Sequence, residues 1–209
     1  MDYTAFSSAE QGLLELLQRL CKPRRVAHSV SVAEVAARLC ARFGIDPALG
    51  RIAGLAHDIV KDTPASELWP MAFRLGNYPE TERLLPLLEA IDARMPYADK
   101  VIHGPAGAVF LLEARIVKDE SVLGAVASHS TARPGMTSLE KIVFSADKLE
   151  PLRAGTSLAD AEALLNLGEE DLFAYALSSS LSWLSRAGLP VAQATVDLYN
   201  ALQRGAKRA

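Results

Sequence analysis

The run Ala53-Gly54-Leu55-Ala56-His57-Asp58-Ile59-Val60-Lys61-Asp62 decides how this chain reads. An adjacent histidine–aspartate pair closes an otherwise apolar helical stretch, and a lysine follows three residues after the aspartate. Neighbouring side chains on a helix are splayed by about 100°. That is wide for one packing face, yet narrow enough for two groups to grip one ion from adjacent directions. A neutral imidazole and a carboxylate both ligate divalent transition metals, and a desolvated pair without partners is costly to bury. The pair is therefore either an isolated hydrogen-bonded couple or the centre of a metal site.

The flanking sequence is helical throughout. Upstream, Asp46-Pro47 supplies an N-cap and a proline at N1 for the helix that ends at the pair. A longer helix follows Pro23 and runs to Phe43, with Gly44 at C′. Its Val32, Val35, Ala36, Leu39 and Phe43 recur at three- and four-residue steps, and His28 lies one turn before Val32, near the buried face. Ser7-Ser8-Ala9-Glu10 is a capping box for a first helix with a Leu13, Leu14, Leu17, Leu20 stripe. Downstream, Thr63-Pro64 opens a helix to about Leu75, ended by Gly76, and another run covers Glu80 to Ile91. Met95-Pro96-Tyr97 is a break, His103-Gly104-Pro105 interrupts the next helical region, and Ala106 to Ala114 resumes it. Asp119 caps a helix from Glu120 to His129, and Ala132-Arg133-Pro134-Gly135 is a loop. Thr137-Ser138-Leu139-Glu140 is a second capping box, starting a helix that carries Asp147 on its last turn. Three more helical patterns follow Ser157, punctuated by Gly168 and Gly188-Leu189-Pro190. No run of alternating β-branched residues is present, so the expected class is all-α. Gly155 divides a core over residues 1–155 from a C-terminal helical extension over 156–209, packed on that core as one structural unit.

Composition narrows the partners. A chain of 209 residues is long enough for one sizeable core. A net charge of −3 gives no basic face for duplex nucleic acid. Cys21 and Cys40 are too few and too badly spaced for a disulfide framework or a zinc ribbon, and read as buried free thiols. Met1-Asp2-Tyr3-Thr4 has no signal-peptide character, and no apolar run reaches the length of a membrane span. The expectation is a soluble cytoplasmic protein with no membrane partner.

Four histidines occur in all: His28, His57, His103 and His129. Any one of them alone reads as a core histidine bonded to a carbonyl. Their order, His28, His57-Asp58, His103, His129, then Asp147, reads differently, and it resembles the HD-domain metal-dependent phosphohydrolases. Arg25-Val26-Ala27-His28-Ser29-Val30, Gly54 to Lys61, His103-Gly104-Pro105-Ala106-Gly107-Ala108, His129-Ser130-Thr131 and Leu139 to Arg153 resemble its YqeK branch, the bacterial symmetrical diadenosine tetraphosphatases. The likeness spans roughly Arg24 to Arg153. After the fourth histidine that branch usually continues HTTG, where this chain has His129-Ser130-Thr131-Ala132. Ser130 keeps a hydroxyl, while Ala132 gives up a glycine's conformational freedom.

The resemblance implies an HD-domain helical bundle with extra C-terminal helices. It implies two divalent ions, iron first with manganese or cobalt as alternatives. His28, His57, Asp58 and Asp147 would hold one ion, and His103 and His129 the other, with Asp58 bridging. Such a centre activates a hydroxide at neutral pH and offsets polyphosphate charge. The implied reaction is symmetrical cleavage of diadenosine tetraphosphate to two ADP, with Asp58 and Lys61 as catalytic residues. The alternatives are another nucleotide or a polyphosphorylated guanosine as substrate, or a non-catalytic nucleotide-sensing module. Phosphate contacts fall to Arg25, Lys61, Thr131, Arg133 and Arg153. By position alone Lys61 reads equally as a solvated helix-end lysine, the three arginines read as surface residues, and Thr131 as a backbone cap. Asp62 reads as helix-end solvation. Trp69, Phe73 and Tyr78 read first as packing and second as a nucleobase pocket. The last helices are open to substrate selection or a homodimer contact.

Overall fold

The computed structural model describes residues 6–89, 91, 97–151 and 158–206. Among them lie twelve α-helices, two 3₁₀ turns and no strand. The helices are α1 (Ser8–Leu20), α2 (Pro23–Arg42), α3 (Pro47–Ala56), α4 (Ala65–Ala72), α5 (Leu85–Glu89) and α6 (Ala98–Val101), then α7 (His103–Glu113), α8 (Glu120–Ser128), α9 (Ser138–Leu149), α10 (Leu158–Leu165), α11 (Glu169–Arg186) and α12 (Gln193–Ala206). The class is all-α, as the sequence pattern requires.

The helix starts are local chemistry. Ser7 and Glu10 close a reciprocal capping box on α1, and Thr137 and Glu140 do the same on α9. The Asp46 carboxylate accepts from Ala48 N before Pro47 opens α3. Gly44, past the end of α2, takes φ +74°, a left-handed conformation that costs glycine nothing. Asp119 accepts from the backbone N–H groups of Ser121 and Val122 at the start of α8. Asp119→Ala is expected to cost about 1 kcal/mol, read in thermal denaturation as a fall in Tm of about 2–4 °C.

Prolines redraw three expected boundaries. The helix opened after Thr63-Pro64 stops at Ala72 rather than Leu75, because Pro70 lies inside it and cannot donate to the preceding turn; the chain tightens into a 3₁₀ turn at Phe73–Asn77. The run expected from Glu80 to Ile91 is a second 3₁₀ turn (Pro79–Leu84) and then the short α5, whose first turn contains Pro86. His103-Gly104-Pro105 does not interrupt a helix but forms the first turn of α7, where the missing proline N–H would have had no partner. Met95, Pro96, Gly155 and Ser157 lie outside the described residues.

Two close crossings organise the bundle. A Cβ on Gly54 would overlap Ala33 Cα and lie 2.7 Å from Ala33 N, so α2 and α3 touch backbone to backbone. A Cβ on Gly104 would lie 2.5 Å from Ala127 O, and α7 and α8 touch in the same way. Around them Leu17, Leu39, Leu55, Ile59, Leu111, Leu123 and Ile142 are fully buried. The later helices lie on this core. Phe173 of α11 packs edge-on against Phe144 of α9, with ring centroids 5.5 Å apart. Arg42 donates to the carbonyls of Leu165 and Asn166 at the end of α10, and Thr195 Oγ1 donates to Ala132 O at 2.8 Å. No helix among the described residues is long and apolar enough to cross a membrane.

Candidate metal centre

Three helices end at one spot. His57 is the C-cap of α3, His129 is the C-cap of α8, and Asp147 lies in the last turn of α9. His103 opens α7, and His28 projects from the second turn of α2. The last four carbonyls of a helix have no partner within it. His57 takes one of them, with Nδ1 donating to Gly54 O at 2.7 Å, and His129 takes another, with Nδ1 donating to Val126 O at 2.7 Å. A carbonyl can only accept, so the proton is on Nδ1 and each Nε2 turns a lone pair inward.

The six expected ligands meet in one buried cluster. His28 Nε2 lies 3.3 Å from His57 Nε2 and 3.1 Å from Asp147 Oδ1, with His57 Nε2 3.8 Å from the same oxygen. Across the cluster, His103 Nε2 lies 2.9 Å from His129 Nε2. Asp58 faces both sets: Oδ1 is 3.1 Å from His103 Nε2 and 3.4 Å from His129 Nε2, and Oδ2 is 3.7 Å from His57 Nε2. His57, His103, His129, Asp58 and Asp147 are each at least 94% buried.

Burial pushes His57 down to about 4 and, with the nearby Lys61 charge, His103 down to about 3. Burial opposes the charged form of Asp58, but the imidazoles of His57, His103 and His129 hold it well below the usual carboxylate range. His28 goes the other way. Against its own desolvation, hydrogen bonds to Asp147 and Glu150 push it up to about 9.

This donor set fits divalent ions. Two donors each about 2.0–2.1 Å from one ion stand roughly 2.9–3.4 Å apart at ordinary coordination angles, which is the spacing of the closest pairs here. Imidazole lone pairs aimed at one another repel unless a proton or a cation lies between them. The triads His28–His57–Asp147 and His57–Asp58–His129 each bring three ligand atoms within 4.8 Å of one another.

The other expected residues divide. Lys61 Nζ reaches inward, 3.0 Å from both ring nitrogens of His103, and donates to Lys100 O at 2.8 Å. Desolvation pushes it down to about 8. Arg25 also reaches the cluster, its Nη1 2.6 Å from Asp58 Oδ2. Thr131 is buried two residues past His129, its N–H donating to Ser128 O. The Arg133 guanidinium is held by the fully buried carboxylate of Glu140, which it shares with Arg83. Arg153 lies outside the described residues. Trp69 and Tyr78 pack against the core, and bond to Asp99 and Glu113; Phe73 is 64% exposed.

Sequence reasoning assigned no role to three residues that belong here. Asp62 is exposed, but more than a solvated helix-end charge: it accepts from Arg25 Nε and Nη2 and from Lys22 N, and so aims Arg25 at Asp58. Lys148 Nζ lies 2.5 Å from Asp147 Oδ2 and donates to His129 O, leaving Asp147 Oδ1 to face the histidines. Glu150, almost fully buried, accepts at Oε1 from His28 Nδ1 at 3.0 Å. The available signal was spacing: Asp62 lies four residues past Asp58, and Glu150 lies three past Asp147, just before a proline.

Comparison with known proteins agrees with this geometry. The HD domain family model matches residues 25–152. The chain is 29% identical to the symmetrical bis(5'-nucleosyl)-tetraphosphatase of Bacillus subtilis, over 94% of this chain and 98% of that one. It is 30% identical to the protein of the same name from Halalkalibacterium halodurans, over 90% and 94%. The fold superposes with a TM-score of 0.75 on the crystal structure of a predicted HD superfamily hydrolase involved in NAD metabolism from Clostridium acetobutylicum, at 25% identity and with 93% and 96% of the two chains covered.

Proposed function

This chain belongs to the HD domain family, and from that premise we propose that it hydrolyses diadenosine tetraphosphate symmetrically into two molecules of ADP. The observation that carries the reading is Asp58, one buried carboxylate reaching both histidine sets at 3.1–3.7 Å, in a chain aligned nearly end to end with proteins named for that reaction.

Water adds to a phosphorus beside the central bridging oxygen, and the bond from that phosphorus to the bridging oxygen breaks. One ADP leaves on each side, with the protons of the water passing to solvent. Divalent ions held by His28, His57, Asp58 and Asp147, and by Asp58, His103 and His129, would supply Lewis acidity toward the phosphoryl oxygens and acidify the attacking water. Mixed imidazole and carboxylate ligation favours iron, manganese or cobalt over magnesium, and iron is the ion that the family resemblance puts first. Asp62 holds Arg25, and Arg25 fixes Asp58 Oδ2, so that Oδ1 stays turned toward His103 and His129. Lys61 stands at the edge of the cluster with its ammonium directed inward, suited to a non-bridging oxygen of the transferred phosphoryl group.

Product analysis tests this. Protein reconstituted anaerobically with iron(II), manganese or cobalt should convert diadenosine tetraphosphate to ADP alone. A chelator should abolish turnover and readdition of the metal restore it. ATP with AMP would overturn symmetrical attack, and no turnover with any of the metals would overturn the hydrolase reading.

A further inference from the structure

We propose that Glu150 is a positioning residue that locks His28 as a ligand and sets the affinity of its half of the centre; this rests on the reading that the six donors hold divalent ions. His57 and His129 are anchored by carbonyls of their own helices, because each sits at a helix end where those carbonyls are free. His28 has no such option. It lies within α2, where backbone carbonyls are used by the helix itself, and its ring needs an acceptor from elsewhere.

Glu150 provides it. Pro151 disfavours helical backbone in the residue before it, and Glu150 leaves α9 as its C-cap at φ −63° and ψ 144°. The exit turns its carboxylate toward α2, where Oε1 lies 3.0 Å from His28 Nδ1 while Asp147 Oδ1 lies 3.1 Å from Nε2. Asp147 and Glu150 thus grip one ring at both nitrogens from a single helix end. Glu150 keeps the Nδ1 proton in place, fixes the ring plane and makes Nε2 a stronger donor. Of the four imidazoles, His28 is the one whose Nδ1 faces a carboxylate. The half of the centre that holds His28 and His57 therefore has an anionic support behind one imidazole, whereas His57 and His129 each rest on a neutral carbonyl.

Manganese(II) titration of the metal-stripped protein by calorimetry tests this, with circular dichroism and Tm of the metal-free forms as the check on folding. Wild type is expected to bind two ions. Glu150→Ala should weaken one of them by roughly 10–100-fold and leave the other nearly unchanged. Glu150→Gln, whose amide oxygen can still accept from Nδ1 but carries no charge, should fall between. In a His28→Ala background Glu150→Gln should have no further effect on metal affinity, a non-additivity that a purely structural role would not produce. Wild-type affinity at both sites in a folded Glu150→Ala protein overturns the inference, and so does equal weakening of both. If Glu150→Ala does not fold, Glu150→Gln decides: selective weakening supports the assignment, and unchanged affinities overturn it. A wild-type protein that takes up no manganese removes the metal reading itself, an outcome seen before any variant is compared.

Discussion

Asp58→Asn is expected to lower the rate of diadenosine tetraphosphate hydrolysis roughly a thousandfold or more, since charge stabilisation of several kcal/mol is lost at about 1.4 kcal/mol per decade of rate. Asparagine keeps the shape of the side chain and removes its charge. Asp58 Oδ1 lies within 3.4 Å of both His103 and His129, and Oδ2 faces His57 and Arg25. Asp58 is the carboxylate whose described contacts reach both histidine sets, and His57, a member of both ligand triads, lies beside it. The loss should therefore fall on kcat, accompanied by loss of bound metal, and a steady-state assay beside a metal count separates it from weakened substrate binding. An Asp58→Asn protein that retains both its metal and its turnover would remove Asp58 from the centre of the mechanism.

Gly54→Ala is the second large effect, and it acts through the fold. The added methyl would overlap Ala33 Cα, and the obstruction is backbone that cannot rotate away. Overpacking of this kind costs about 1–3 kcal/mol, or roughly 2–12 °C in Tm for a chain of this size. Gly54 also supplies the carbonyl that anchors His57 Nδ1, and Ala33 lies on the helix that carries His28. Pushing α2 from α3 opens the 3.3 Å approach of His28 to His57. The variant should lose metal affinity in addition to stability, in contrast to Asp119→Ala, which should lower Tm and leave metal binding intact. Thermal denaturation with and without manganese separates the two cases.

Much of this was legible in the chain because the signals are local. Ser7, Asp46, Asp119 and Thr137 announce helix starts through side chains that satisfy backbone N–H groups a few residues away. The six candidate ligands stood out through their order along the chain, which resembles that of the HD-domain phosphohydrolases; any one histidine alone reads as a core residue. What stayed hidden depends on distant partners. Glu150 is, in sequence, one more acidic residue after a helix, and 122 positions separate it from the ring it holds. Asp62 looked solvated because its partners, Arg25 and Lys22, approach from another helix. Arg133 looked like a surface arginine because nothing in the loop reveals that Glu140 is fully buried and requires a counter-charge. Pro70 and Pro86 were visible but outweighed by the apolar periodicity around them, and the α-helices there are shorter for it.

The convergence of α3, α8 and α9 on the centre brings charge of both signs to one place. A helix ends in partial negative charge, equivalent to about half an elementary charge when its carbonyls are unpaired. Three such ends, with carbonyls already taken by His57, His129 and Lys148, surround Asp58 and Asp147, while Arg25, Lys61 and Lys148 bring positive charge beside them. Nucleotide affinity in this protein should therefore rise as cations load, since they add to the positive charge that Arg25, Lys61 and Lys148 already offer a polyphosphate.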